Sequence, residues 1–165
     1  MKRTSLSIKD LNEQLQQHHL EIQFSKKESA QILEITTLKT TTKIILINSQ
    51  PSFFYYNPST TTMPLLIPTL KLLQTHPNIL KTITIDMGAI KYIINGADIM
   101  RPGITHIDDN IKKDEPILII DQTHKKPLAI GISQLSSPEL QTTTTGKVIK
   151  NIHYVGDELW KLEIK

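Results

Sequence analysis

The chain has 165 residues, 38% apolar and 21% charged, a composition typical of a globular protein rather than a disordered or fibrous one. It contains no cysteine, which excludes disulfides, thiolate metal sites and cysteine nucleophiles. Residues 1–82 carry nine Lys/Arg against five Asp/Glu, whereas residues 83–165 carry ten against eleven, so any anionic partner must be met by local patches. Apolar runs are too short to span a membrane and no signal peptide is recognisable, which predicts a cytoplasmic protein.

The first part of the chain predicts one helix followed by strands. Ser7 and Asp10 form a capping box, and the apolar spacing after them predicts a helix from Ile8 to His18. Alternating or β-branched residues predict strands over Leu20–Phe24, within Gln31–Leu38, and in a hairpin of residues 43–47 and 52–56 around a turn at 48–51. The positive excess of this half includes Lys26, Lys27, Lys39 and Lys43. These lysines form either a solvated face or a second contact for an anionic partner.

A short amphipathic helix then links two domains. Pro68 suits a first helical turn, and Leu70 and Leu73 lie one turn apart. His76–Pro77 ends this helix, because the residue before a proline avoids the helical region. Since strand-like alternation begins again at Thr82, the predicted domains are residues 1–81 and 82–165.

The segment from Gly88 to Ile104 predicts a capped helix and a turn. Asp86 can cap a helix that starts near Met87, and Gly96 supplies the left-handed residue on which it ends. Four apolar residues share one predicted core face, while two polar residues share the other: Ile90, Ile93, Ile94 and Ala97, against Lys91 and Asn95. The sequence Arg101-Pro102-Gly103 predicts a turn that displays a guanidinium group.

The rest of the chain predicts compact β structure. Residues 117–120 and 128–132 form a hairpin, with a bulge or close backbone approach at Gly131. Ser137-Pro138-Glu139 starts a brief helix, because four consecutive threonines follow it. A final strand pair is predicted over residues 148–155 and 159–164, with Trp160 in the core.

No residue pattern predicts catalysis, a metal site or a cofactor. The six histidines lack any zinc-binding spacing, and no glycine-rich loop joins a strand to a helix as nucleotide binding requires. The acidic pairs Asp108-Asp109 and Asp114-Glu115 lie beside lysines, as solvated turn residues do. His153 stays open between a sheet-face histidine with a hydrogen-bond partner and a ligand contact. The sequence therefore predicts a protein that is not an enzyme.

Three blocks resemble a PUA domain, an RNA-binding module. They are IDMGAIKYIINGADIMRPGI from Ile85, KKPLAIGISQLSSPEL from Lys125 and GKVIKNIHYVGDELWKL from Gly146. The upstream hairpin and IPTLKLLQTHPNIL from Ile67 resemble the pre-PUA domain of one subgroup. That subgroup comprises the malignant T-cell-amplified-sequence protein, its archaeal relatives and the ligatin-type translation factor. The resemblance implies an α+β protein, with an N-terminal α/β pre-PUA domain and a mainly β PUA pseudobarrel.

The resemblance places the RNA at the helix, the loop after it and the last strands. The candidate RNA-binding residues are Lys91, Asn95, Gly96, Ala97, Met100, Arg101, Pro102 and Gly103, with Lys150 and His153 as second candidates. Charge, amide donors and glycines that allow close backbone approach suit a phosphate chain. For four of these residues a purely structural role stays open: backbone geometry for Gly96 and Gly103, core packing for Met100 and turn stiffness for Pro102.

The resemblance also implies a role in translation initiation or recycling. The protein would bind the tRNA acceptor end or rRNA and act on the small ribosomal subunit, with a separate protein that carries an initiation-factor-one-like domain. Two alternatives remain. One is an accessory module that docks RNA for pseudouridine or archaeosine modification, and the other is a small-ligand or enzymatic function in a PUA-like fold. The choice between an RNA stem and a single-stranded end is open.

Overall fold

The computed structural model describes residues 1–37, 40–59 and 62–164, so the predictions for Leu38 and Lys39 lie outside the described residues. The chain forms two compact units, one of Met1–Leu72 with the described residues after Lys161, the other of Leu73–Lys161. Each unit contains one β-sheet. The predicted α+β class is confirmed. Within the described ranges, no helix is long and apolar enough to cross a membrane.

The first unit is an antiparallel sheet with one long helix. Its elements are β1 (Lys2–Leu6), α1 (Ile8–Gln17), β2 (Ala30–Thr36), β3 (Thr41–Ile47), β4 (Gln50–Tyr56) and β5 (Leu65–Pro68), and the strands lie side by side in chain order. The predicted α1 is confirmed, since Ser7 Oγ accepts the N–H of Asp10 at 3.1 Å. Leu11 and Leu15 are fully buried. Strand β1 was not predicted, because its residues are mostly exposed and show no apolar alternation.

The predicted strand over Leu20–Phe24 is wrong, because other groups bind its backbone. The side chain of Asn12 on α1 accepts from Phe24 N–H and donates to Phe24 O, both at 3.0 Å. The Phe24 ring packs edge to face on Phe53, with centroids 6.1 Å apart. A segment whose backbone is bound by a side chain from a helix can thus alternate apolar and polar residues without pairing to a strand.

The predicted hairpin is confirmed with a tighter turn than expected. Only Asn48 and Ser49 form the turn, both with positive φ, and Gln50 already belongs to β4. Pro68 was expected in a helical turn, but it ends β5 at the edge of the sheet, where a missing N–H is tolerated. Helix α2 (Leu70–Thr75) starts after Thr69, whose hydroxyl accepts the N–H of Leu72 at 3.3 Å.

The second unit is a six-stranded sheet that curls into a half-barrel. Its strands are β6 (Thr82–Ile85), β7 (Ile99–Met100), β8 (Ile104–Ile107), β9 (Pro116–Asp121), β10 (Pro127–Ser133) and β11 (Lys147–Tyr154), in the order β7-β11-β10-β9-β6-β8. Its helices are α3 (Ile90–Ile93), α4 (Ser137–Thr142) and α5 (Glu158–Lys161), with 3-10 turns at Met87–Ala89 and Arg101–Gly103. The β6–β9 pair is parallel. The core is built mainly from isoleucines.

Gly131 lies at the predicted bulge. The register of β10 against β11 shifts between Ile130 and Gly131. A Cβ added to Gly131 would lie 2.3 Å from Ile149 Cγ2 and 3.0 Å from the carbonyl oxygen of Lys150. The strands therefore approach more closely here than any side chain allows.

Two predictions near the C-terminus need correction. Helix α4 is capped by Ser136 rather than Ser137, with Glu139 completing the capping box, and it ends at Thr142 before the remaining threonines. The predicted strand over 159–164 is wrong, because Asp157 Oδ1 accepts the N–H of Trp160 at 2.8 Å and starts α5. Trp160 is only partly buried, so the prediction that it lies in the core is wrong.

Candidate functional site

An open cavity of about 590 Å³ lies at the end of β6 in the second unit. The turn at 87–89, helix α3 and the segment 97–103 form its walls. Its lining consists of Ile85, Asp86, Gly88, Ala89, Tyr92, Ile93, Ala97, Asp98, Ile99, Met100, Pro102, Gly103 and Lys147. The cavity thus coincides with the segment that the sequence singles out.

Local hydrogen bonds build these walls. Asp86 Oδ1 accepts the N–H of Ala89 at 2.9 Å, as the predicted N-cap should, and Asp86 N–H donates to Gly103 O at 2.9 Å. The second bond joins the start of the helical segment to the turn at 101–103. Gly96 has φ +92°, and its N–H donates to Ile93 O at 3.0 Å. Gly96 therefore ends the helical segment as predicted.

The helical segment is shorter than predicted, which changes its apolar face. Residues 87–89 form a 3-10 turn, and α3 has only four residues. Ile93 is buried and Ile90 packs against the core, but Ile94 and Ala97 are exposed. The prediction that all four residues face the core is wrong, because the 3.6-residue period does not continue past the end of α3.

Two large side chains give the cavity an exposed apolar rim. Tyr92 is 59% exposed and Met100 is 51% exposed. Core packing, the structural alternative for Met100, is therefore excluded. An exposed aromatic ring beside an apolar cavity offers a stacking surface for a planar ligand group.

One lysine, Lys147, lines the cavity, and a second, Lys91, lies beside the Tyr92 ring at its rim. Lys147 Nζ is 3.3 Å from Asp98 Oδ2, while the other Asp98 oxygen accepts the N–H of Asn151 at 2.8 Å. Lys91 Nζ lies 5.0 Å from the centroid of the Tyr92 ring. The cavity thus combines an apolar interior with ammonium groups at its edge.

The predicted site residues fall into two groups. Ala97, Met100, Pro102 and Gly103 line the cavity. Asn95 instead donates from its amide to Lys91 O at 2.8 Å, on the helical segment itself. A Cβ on Gly96 would lie 3.1 Å from the Tyr154 ring, so this glycine allows close packing as well as the helix end.

Arg101 is not displayed as predicted. Its Nε donates to Leu140 O at 2.7 Å, and its Nη1 donates to Ile104 O at 3.3 Å. The side chain is only partly exposed. The turn at 101–103 is where the sequence predicts it, but its guanidinium connects the turn to the end of α4.

The two second candidates lie outside the cavity lining. Lys150 is exposed on β11. His153 is 1% exposed, and its Nδ1 lies 2.7 Å from Asp157 Oδ2. The burial of the ring and its Asp157 partner match the alternative of a sheet-face histidine with a hydrogen-bond partner.

Asp157 joins this buried histidine to the start of α5. Burial raises the pKa of Asp157, but the hydrogen bond and charge of His153, with N–H donors from Trp160 and Tyr154, outweigh it and hold the pKa below its ordinary 3.8. A carboxyl group with a depressed pKa stabilises the fold above its ordinary pKa, and this contribution is lost as pH falls through the folded-state pKa. Asp157 is therefore a source of acid sensitivity.

We expect the free energy of unfolding to decrease as pH falls below about 4, because protonated Asp157 loses its advantage over the unfolded state. Asp157→Asn should be less stable at neutral pH and should show a flatter decrease with acid. Urea unfolding at a series of pH values measures both effects. The exposed Asp109→Asn serves as the matched control. Identical slopes for Asp157→Asn and the parent would contradict this assignment.

Sequence reasoning missed Tyr92, Asp98 and Lys147. Tyr92 carried a local signal, because it lies off the predicted apolar face and beside Lys91, as an exposed aromatic residue would. Lys147 carried none, since it reaches the cavity through the pairing of β11 with β7, which sets it opposite Met100. Such contacts between distant residues leave no trace in local spacing.

The acidic residues considered for catalysis hold turns instead. Asp108 Oδ2 accepts from the backbone N–H and the hydroxyl of Thr82, at 2.8 and 3.0 Å. Glu115 pairs with Lys81 at 3.0 Å. Neither residue lines the cavity.

The PUA domain family matches residues 81–155, which include the whole cavity lining. Protein MJ1432 of Methanocaldococcus jannaschii is 40% identical over 121 residues, 73% of this chain and 71% of that protein. Translation machinery-associated protein 20 of Schizosaccharomyces pombe is 37% identical over 100 residues, 58% of this chain and 55% of that protein. Malignant T-cell-amplified sequence 1 of Danio rerio is 33% identical over 99 residues, with the same coverage. The matched segment spans about half the length of these two eukaryotic relatives.

A solved structure is similar over nearly the whole chain. The crystal structure of hypothetical protein PH0734.1 from Pyrococcus horikoshii has a TM-score of 0.77 and 28% identity. The similarity covers 97% of this chain and 98% of that one. Both units, and not only the segment 81–155, therefore have a counterpart in this structure.

Proposed function

Because this chain belongs to the family of PUA-domain proteins that includes protein MJ1432 and malignant T-cell-amplified sequence 1, we propose that it is a non-enzymatic RNA-binding protein that acts in translation. The PUA domain supports RNA binding, and relatives named for the translation machinery support the process. In this proposal residues 82–165 form the PUA domain and residues 1–81 the pre-PUA domain. The protein works in the cytoplasm.

The cavity at the end of β6 is the observation that carries the proposal. An unpaired base stacks on an aromatic ring, and lysines around such a ring pair with the phosphates on either side. The exposed Tyr92 and Met100 offer the apolar surface, and Lys91 and Lys147 offer the charges. We therefore assign the RNA contacts to these four residues together with Ala97, Pro102 and Gly103.

Three other predicted residues act indirectly in this proposal. Asn95 and Gly96 shape the end of the helical segment, and Arg101 fixes the turn that carries Pro102 and Gly103. An open cavity with a stacking rim suits a single-stranded end better than a duplex, whose bases are stacked inside. The proposed RNA is therefore the acceptor end of tRNA or an unpaired segment of small-subunit rRNA.

The proposed partners follow from the same family. They are the small ribosomal subunit and a separate protein that carries an initiation-factor-one-like domain. The basic first half of the chain, with Lys26, Lys27 and Lys43, offers a second contact to the subunit. Lys39, predicted to join these lysines, lies outside the described residues.

Fluorescence titration of tRNA into the protein tests RNA binding. We expect binding at low salt, a shallow decrease of log affinity with log salt because few phosphates are contacted, and weaker binding after removal of the unpaired 3′ nucleotides. Cosedimentation with small ribosomal subunits tests the translation role. No binding at low salt would contradict RNA binding, and a protein that stays with free tRNA and never sediments with subunits would contradict the translation role.

A further inference from the structure

We propose that the loop of residues 122–126 between β9 and β10, here the basic loop, is a second phosphate-binding site that holds the RNA backbone as it leaves the cavity. The inference rests on the proposed function. It adds a contact on a different hairpin from the helical segment and turn that form the cavity.

The basic loop lies at the same end of the sheet as the cavity. Strands β6 and β9 are parallel, and Ile85 pairs with Asp121, so both strands end at one edge. The N–H of Gln122 donates to the carbonyl oxygen of Ile85 at 3.0 Å, and Ile85 lines the cavity. One hydrogen bond therefore joins the first residue of the loop to the cavity wall.

A buried carboxylate fixes the conformation of the loop. Asp121 is 2% exposed, and it accepts backbone N–H bonds at 3.0, 2.5 and 3.2 Å from Thr123, His124 and Lys126. Burial raises the pKa of Asp121, but these N–H donors and the charge of His124 outweigh it and keep the pKa below its ordinary value. The carboxylate is thus ionised at neutral pH and is occupied by the backbone rather than by the lysine side chains.

The side chains of the loop that follow Thr123 are exposed to solvent, and two of them are lysines. His124, Lys125 and Lys126 are all exposed, and Lys125 holds a left-handed conformation with φ 55°. Among the described residues, neither Lys125 nor Lys126 lies within 4.0 Å of a carboxylate, whereas Lys147 and Lys81 are paired. Two uncompensated ammonium groups on a fixed loop suit adjacent phosphates of a nucleic acid strand.

The test compares Lys125→Gln/Lys126→Gln with Lys112→Gln/Lys113→Gln. The control removes the charge of two consecutive exposed lysines from the turn that starts near Asp108. Asp108 accepts the N–H of Thr82, at the end of β6 that lies away from the cavity. RNA affinity is measured by fluorescence at several salt concentrations for the parent and both variants. Two lost phosphate contacts should reduce the slope of log affinity against log salt by about 1.4 for single-stranded RNA. The control should keep the parent slope.

RNA length provides a second readout. The parent and the basic-loop variant should bind a mononucleotide equally, and their affinities should separate as the oligonucleotide grows long enough to leave the cavity. A parent slope in the basic-loop variant, or an equal loss at every length, would overturn the inference while RNA binding by the parent stands. If the parent binds no RNA, the proposed function itself fails.

Discussion

Arg101→Ala is expected to lower the free energy of unfolding by about 2–4 kcal/mol, because two hydrogen bonds from a charged group are lost and two carbonyl oxygens lose a donor. The carbonyl groups belong to Leu140 and Ile104, whose residues are 0% and 7% exposed. Little water therefore replaces the guanidinium. Urea unfolding, with the midpoint and slope fitted together, measures the change.

Arg101→Lys separates a structural role from an RNA contact. A lysine keeps the positive charge but not the planar fork that reaches both carbonyls, so its stability should lie between alanine and the parent. Measured under conditions in which the variant is fully folded, its RNA affinity should stay near the parent value. If Arg101→Ala instead keeps the parent stability and loses RNA affinity, the guanidinium contacts RNA directly, as the sequence alone suggested.

Arg101 also shows how far sequence reasoning reaches at the site. Its proline-glycine neighbours predict a turn correctly, because proline and glycine restrict or release the backbone locally. The acceptor for its Nε, however, is the carbonyl of Leu140 on a separate helix. A turn is determined by a few consecutive residues, whereas the direction of a long side chain depends on the groups that the fold places beside it.

The same division applies to the fold. Asp86 and Gly96 act through local geometry, and the sequence predicts each in the position where it acts. Gly131 also lies where the sequence predicts a bulge, although the atoms that require a glycine there belong to the neighbouring strand β11. The strand predictions for residues 20–24 and 159–164 are wrong, because apolar alternation is a weak signal of a strand when a nearby polar side chain binds the backbone. Asn12 does this for the first segment and Asp157 for the second.

Asp157 carried a local signal that the strand prediction overrode. The predicted strand pair 148–155 and 159–164 implies a turn at residues 156–158, but an aspartate before an apolar run is equally typical of a helix N-cap. Lys147 differs from this case, because only the pairing of β11 with β7 brings it to Asp98 and the cavity. The start of α5 can therefore be predicted from the local sequence around Asp157, whereas the position of Lys147 at the cavity cannot.

Tyr92→Ala should produce the largest loss of RNA affinity among single substitutions in the cavity, roughly 5-fold to 150-fold, because each base stacked on an aromatic ring contributes about 1–3 kcal/mol. The ring is 59% exposed, so its removal should change the free energy of unfolding by less than about 0.5 kcal/mol. Fluorescence titration with a short unpaired RNA, together with urea unfolding, measures the two quantities. Loss of affinity without loss of stability distinguishes a ligand contact from a packing residue.

Tyr92→Phe is the matched control, since it keeps the stacking face and removes only the hydroxyl. It should bind RNA within about threefold of the parent, as expected when the ring rather than a hydrogen bond supplies the interaction. The ammonium of Lys91 lies 5.0 Å from the ring centroid. Its cation–π contact is kept in Tyr92→Phe, which retains the aromatic face, and is lost in Tyr92→Ala. Parent affinity in a folded Tyr92→Ala would exclude the cavity at the end of β6 as the place where RNA binds. A strong loss in Tyr92→Phe would instead assign the contact to the hydroxyl and to base-edge recognition.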